Sequence, residues 1–180
     1  RNLNPGIKLF LYVCPYCMAV PPATNDPWRR ANFDYAQAHD MWWRNADGSV
    51  ASDWPGTQMV NVTDHCATGP LGPWRDYFSL QLETLVNGRR TADGVFLDNF
   101  WKRISWEQGA AIRVDSDCSP SANPAGCNGH MDSPADLDAE WNHALTMFAS
   151  DVRRRFDRAQ SSRDNRPLAL GQLGAERRRQ

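Results

Sequence analysis

Lysine is almost missing from this chain of 180 residues: Lys8 and Lys102 stand against 18 arginines. Acids balance the bases, and the formal net charge is only −1. A chain so balanced presents no field to hold a polyanion, so no nucleic-acid partner is expected. The arginine excess reads as genomic base composition. Arg153-Arg154-Arg155 falls where a helix should end, which suits the macrodipole, and Arg177-Arg178-Arg179 reads as an exposed tail. No apolar run approaches the ~20 residues that span a bilayer, so no membrane partner is expected. There is no signal peptide and no initiator Met. The chain therefore reads as a mature form or an excised piece, and the second suits a sequence that stops soon after a new strand-like segment. No GxGxxG or GxxxxGK[ST] loop follows any strand, which counts against a nucleotide-binding sheet. No cofactor is expected.

Five cysteines are present, at 14, 17, 66, 118 and 127. An odd count leaves one unpaired or pairing outside the chain. Cys118 and Cys127 flank a loop without secondary-structure signal, so a disulfide there is expected, and with it an oxidising, extracellular or periplasmic compartment. Eight tryptophans are more than a surface needs, and most should be core.

Ile7 to Val13 is a near-continuous apolar run and reads as a buried strand. It meets Cys14-Pro15-Tyr16-Cys17, which locally resembles the glutaredoxin redox motif. Pro21 and Pro22 would end a helix there within about a turn, so a structural disulfide or loop cysteines fit better than a thiol-redox domain. Pro27 opens a helix to about His39. A hairpin around Asp47-Gly48 follows, an insert over about 41–56. Gln58 to Val62 reads as a second strand and Pro73 as the start of an amphipathic helix with Trp74, Tyr77, Phe78, Leu82 and Leu85 on one face. Asp93 to Asp98 is a third strand. A loop insert over about 113–132 precedes a helix capped by Ser133 with Pro134 at its first position. Pro167 to Leu173 reads as a fourth strand.

Strands alternating with helices argue for parallel βαβ units in a single α/β domain over 1–180. With four strands, this is part of a (β/α)8 barrel, about strands two to five, or a smaller open sheet. Function in such folds sits at the carboxyl ends of strands. Asp98 occupies that end of the third strand, whereas Asp93, roughly 16 Å away at ~3.3 Å per residue, is at the structural end and cannot pair with it as a glycosidase couple. Asn61, Asp64 and His65 end the second strand, and Gln172 and Glu176 follow the fourth. With Trp43, Trp101 and Trp106 they compose a set suited to sugar hydroxyls and sugar faces. Asp115-x-Asp117…Asn128-Gly-x-x-Asp132 is similar to a calcium loop, but its spacing is interrupted by the cysteine insert, and the expectation is a polar loop with no metal.

Asp93-Gly94-Val95-Phe96-Leu97-Asp98-Asn99 resembles the fourth strand of a group of glycoside-hydrolase TIM barrels, the hypothetical glycosyl hydrolases and endo-α-1,4-polygalactosaminidase-like proteins. Asn128-Gly129-His130-Met131-Asp132-Ser133-Pro134 and the Trp42-Trp43-Arg44…Asp47-Gly48 hairpin resemble the same group. The resemblance implies hydrolysis of O-glycosidic bonds in a carbohydrate, with Asp98 as the strand-end catalytic acid. Asn99, Asn61, Asp64, Trp43, Trp101 and Gln172 are the expected substrate contacts. It also implies a partner acid on a later strand, for which Glu176 is the late candidate. A non-catalytic carbohydrate-binding relic of the barrel is the alternative.

Overall fold

The computed structural model describes residues 6–21, 26–89, 92–109 and 112–164. β1 (Phe10–Val13) and β6 (Gly94–Leu97) form a parallel pair, with Tyr12 opposite Phe96 and Val13 opposite Leu97. Between them run β2 (Cys17–Ala19), α1 (Pro27–Ala38), β3 (Thr57–Met59), β4 (Thr68–Gly69), β5 (Gly72–Pro73) and α2 (Trp74–Arg89). α3 (Pro134–Asp164) follows β6 and packs along α2.

The pleat sorts the residues of the parallel pair. Val13 is buried and Val95 and Leu97 lie against the core, facing α2 and α3, whereas Phe10, Tyr12 and Phe96 stand on the opposite, exposed face. Tyr12 and Phe96 stack there at 5.9 Å. Gly94 has no side chain because the Phe10 ring takes that space: a Cβ would meet it at 3.2 Å. Asp93 sits at the amino end, where its carboxylate accepts a hydrogen bond from the Leu9 amide at 2.8 Å.

Gln58 to Val62 departs from expectation. Its strand is Thr57–Met59, and it pairs antiparallel with β2 rather than joining a parallel sheet. The reason lies in the hairpin insert, whose backbone claims the other side of β3: Trp43 and Ala51 exchange amide hydrogen bonds with Met59. The expected fourth strand, with Gln172 and Glu176, lies outside the described residues. The Cys14-Pro15-Tyr16-Cys17 segment is a turn closed by a disulfide, and Cys17 opens a strand rather than a helix. The helix dipole that a reactive first cysteine needs is missing at this place, which removes the redox reading.

The helices begin as their sequences dictate. Asp26 caps α1 by accepting from the amides of Trp28 and Arg29. Ser133 caps α3 and bonds the Asp136 carboxylate in return. The α2 stripe of Trp74, Tyr77, Phe78, Leu82 and Leu85 and the α3 stripe of Leu137, Trp141, Leu145, Phe148 and Val152 are buried, with Phe78 meeting Phe148 between the helices at 6.2 Å.

Trp141 is the node of the core. Its ring lies edge-on to Tyr16 at 4.8 Å and stacks on Trp43 at 5.5 Å, and its indole N–H donates to the Trp101 carbonyl at 2.8 Å. It thereby gathers the turn after β1, the hairpin insert and the segment after β6. Trp141→Ala is expected to cost ~3–5 kcal/mol in urea denaturation. Trp141→Phe should cost less, because it keeps most of the packing and loses the bond to Trp101.

Candidate active site

The carboxyl ends of β1 and β6 open into a cleft of about 530 Å³. Asp98 and Asn99 stand at its rim with Tyr12, and the Cys14–Cys17 disulfide lines its wall. Trp28 and Arg29 reach it from the start of α1, and Asp53 and Trp54 from the turn that joins the hairpin insert to β3.

Asp98 is set by the sheet. Its amide donates to the Val13 carbonyl at 2.8 Å, one step past the last pair of the ladder. Its Oδ2 accepts a hydrogen bond from the Tyr12 hydroxyl. That bond, followed by slight burial and the Asp98 charge, raises the Tyr12 phenol above its ordinary value, so the phenol stays a donor. Asn99 turns the chain away with φ of 57°, a left-handed conformation that asparagine tolerates better than most residues. Its amide nitrogen comes within 3.9 Å of both disulfide sulfurs.

Asp53 accepts from the Thr57 hydroxyl at 3.0 Å, which ties it to the start of β3. A third carboxyl, Glu107, lies in the short 3₁₀ turn Ser105–Glu107 and is only 6% exposed. Burial first, and the negative Asp53 second, push it up to about 7. The Tyr16 hydroxyl is likewise raised, by burial and then by the charges of Asp53, Glu107 and Asp98. Asp53 and Asp98 line the cleft, whereas Glu107 does not. Asp138, from the first turns of α3, accepts from the Ile104 and Ser105 amides and the Ser105 hydroxyl, and fixes the backbone that carries Glu107.

The expected site residues divide. Asp98 and Asn99 share the cleft. Trp43 is wholly buried in its stack with Trp141, and so offers no face to a ligand. Asn61 is 1% exposed, its Oδ1 holding the Thr63 amide and hydroxyl. Asp64 is exposed on another surface, paired with Arg75 at 2.8 Å and His143 at 3.2 Å, which lower its carboxyl below the usual range. Trp101 is half-exposed and meets Trp106 edge-on at 6.4 Å. Gln172 lies outside the described residues.

Asp53, Trp54, Trp28 and Tyr12 were not expected in the site. A signal for the first two was present: an acid and an aromatic just before Pro55-Gly56, at the end of the hairpin insert. A second cavity, of about 430 Å³, lies at the amino end of β6 between α2 and α3 and is lined by Phe10, Asp93, Val152 and Phe156. It is at the opposite end of the strand from Asp98. A group that could hold a cation, Asp115, Asp117 and Asp132, lies on the 113–132 insert, away from the residues of the cleft.

A family model described as hypothetical glycosyl hydrolase family 15 matches residues 1–163. Searches of curated proteins and of solved structures return no match.

The raised Glu107 makes stability depend on pH. The native state holds this proton more tightly than the unfolded chain, so its contribution is full below the ordinary carboxyl range and is lost as pH rises through about 7. Glu107→Gln should therefore be ~1–3 kcal/mol more stable than the parent at pH 8 and nearly equal to it at pH 4, as read by urea denaturation at the two pH values. Equal stabilities at pH 8 would mean that Glu107 carries no buried charge there.

Proposed function

The chain belongs to hypothetical glycosyl hydrolase family 15, and from that membership we propose that it hydrolyses O-glycosidic bonds in a carbohydrate, with Asp98 as the acid that reacts at the sugar. The observation that carries the reading is the cleft itself: a second carboxylate, Asp53, lines it together with Asp98. Glycoside hydrolysis needs two carboxyl groups across one bond, one to protonate the leaving oxygen and one to act as nucleophile or to activate water. Asp53 supplies the second group. Trp28 and Trp54 offer apolar faces of the kind on which sugar rings stack, and Asn99 offers donor and acceptor for hydroxyls.

The same reading makes the chain part of a (β/α)8-type barrel. Its support is the parallel β1–β6 pair, the helix layer on one face of that pair, and an acid at the carboxyl end of β6. Two disulfides support an extracellular or periplasmic location, where such bonds persist.

The test is turnover of a panel of oligosaccharides and aryl glycosides, α-1,4-linked galactosaminan included, followed by reducing-end release. Asp98→Asn should lower kcat by ~10³-fold or more, and Asp53→Asn by ~10²–10⁴-fold, with the far-ultraviolet circular dichroism of both unchanged. Full activity in Asp98→Asn would sink the assignment. Saccharide binding without any turnover by the parent chain would replace the hydrolase with a carbohydrate-binding protein.

A further inference from the structure

We propose that Asp115, Asp117 and Asp132 form a calcium site that joins the 113–132 insert to the hairpin insert. This goes beyond the hydrolase reading and does not depend on it.

The sequence places the three acids too irregularly for a continuous calcium loop, yet folding gathers them. One carboxylate oxygen from each lies within 4.8 Å of those from the other two. Two oxygens bound to one Ca²⁺ at ~2.4 Å can be at most ~4.8 Å apart, so no pair among the three is too far apart to share one ion. The gathering is built by the Cys118–Cys127 disulfide, which closes the intervening loop. It is also built by Asn123, whose side-chain amide donates to the Asp117 carbonyl at 2.8 Å. Gly126 packs so closely that a Cβ would meet that same carbonyl at 2.4 Å.

The second observation is independent of the clustering. Asp115 is 1% exposed, and its Oδ1 is shielded from water with no hydrogen-bond partner. The Oδ1 of Asp117 is in the same condition. A buried carboxylate oxygen left without a partner costs several kcal/mol unless something neutralises it. The other oxygens are occupied by amides: Gly129 donates to Asp115 Oδ2 at 3.3 Å, and Ser116 to Asp132 Oδ2 at 2.8 Å. Those bonds orient the carboxylates and leave the remaining oxygens for a ligand. Among the described residues no Arg, Lys or His forms an ion pair with any of the three.

The ligand chemistry is that of a hard cation. All three donors are carboxylate oxygens, and dedicated protein cages of this kind suit Ca²⁺, whereas Mg²⁺ keeps most of its waters and takes one or two carboxylates. The site would also act at a distance. The Asp115 amide donates to the Arg44 carbonyl at 3.0 Å, and the Ala46 amide donates to the Arg113 carbonyl at 2.8 Å. Calcium would thus pin the insert to the hairpin whose return segment leads into the turn with Asp53 and Trp54.

The experiment uses the whole chain with its disulfides intact, first stripped with EDTA. Titration calorimetry with CaCl₂ should show one equivalent bound, with Kd between about 10⁻⁵ and 10⁻³ M, the range of extracellular modules and weaker sensors. Saturating calcium should raise Tm by ~5–10 °C, and equimolar MgCl₂ should leave Tm within about a degree. Asp115→Asn and Asp132→Asn should each abolish the calcium response. In EDTA both variants should melt at or above the parent, because the substitution removes a buried repulsion; this separates loss of the site from loss of the fold. No bound calcium, calcium binding that survives Asp115→Asn, or an equal response to magnesium would each overturn the proposal.

Discussion

The position of Asp98 depends on a side chain that never touches it. Trp141 takes an edge from Tyr16, a face from Trp43 and a carbonyl from Trp101. Tyr16 lies three residues beyond the end of β1, and Trp101 three residues beyond Asp98. One indole from α3 thus fixes where both parallel strands release their chains. A two-stranded sheet holds its own geometry weakly, and here the aromatic contact holds the strand ends together from below. The Trp74 indole repeats the device from α2 by donating to the Pro15 carbonyl at 2.8 Å.

Charge is segregated in a way that the net value of −1 conceals. The arginines work on the surface, in pairs such as Arg30–Asp34 and Arg153–Asp157 along helices, where each contributes little. The acids inside are treated differently. Among the described residues, Asp53, Asp98 and Glu107 form no ion pair with Arg or Lys. Glu107, the buried one, is raised chiefly by its burial, with the negative Asp53 second.

Much of the frame was legible in the sequence. The α2 and α3 stripes, the Ser133 cap and the placing of Asp93 and Asp98 at opposite ends of β6 follow from period and polarity, which local structure obeys. Trp43 illustrates what was not legible. Its place beside polar strand ends suggested a sugar platform, but stacking on Trp141 buries more apolar area than a rim position could, so packing took it. Asn61 was lost to its own backbone: an Asx turn onto Thr63 satisfied it locally. β3 turned antiparallel because the hairpin insert offered amides closer than any parallel neighbour. Asp53 could be read as a turn residue only, since nothing in its neighbours states which strand end the hairpin insert covers.

The two disulfides have a consequence for how the chain matures. They span three and nine residues, so they close the shortest loops and take little entropy from the unfolded chain. Their partners, however, stay within reach of each other from the moment they are synthesised. The fifth thiol, Cys66, is buried, and burial pushes it up to about 12, so at neutral pH it holds its proton and is a poor attacker of either bridge. Of the fifteen ways to choose two pairs from five cysteines, the native one joins sequence neighbours and sequesters the leftover. Oxidation in this chain is therefore a local event that need not wait for the core, and the odd thiol is retired by the same collapse that completes the fold.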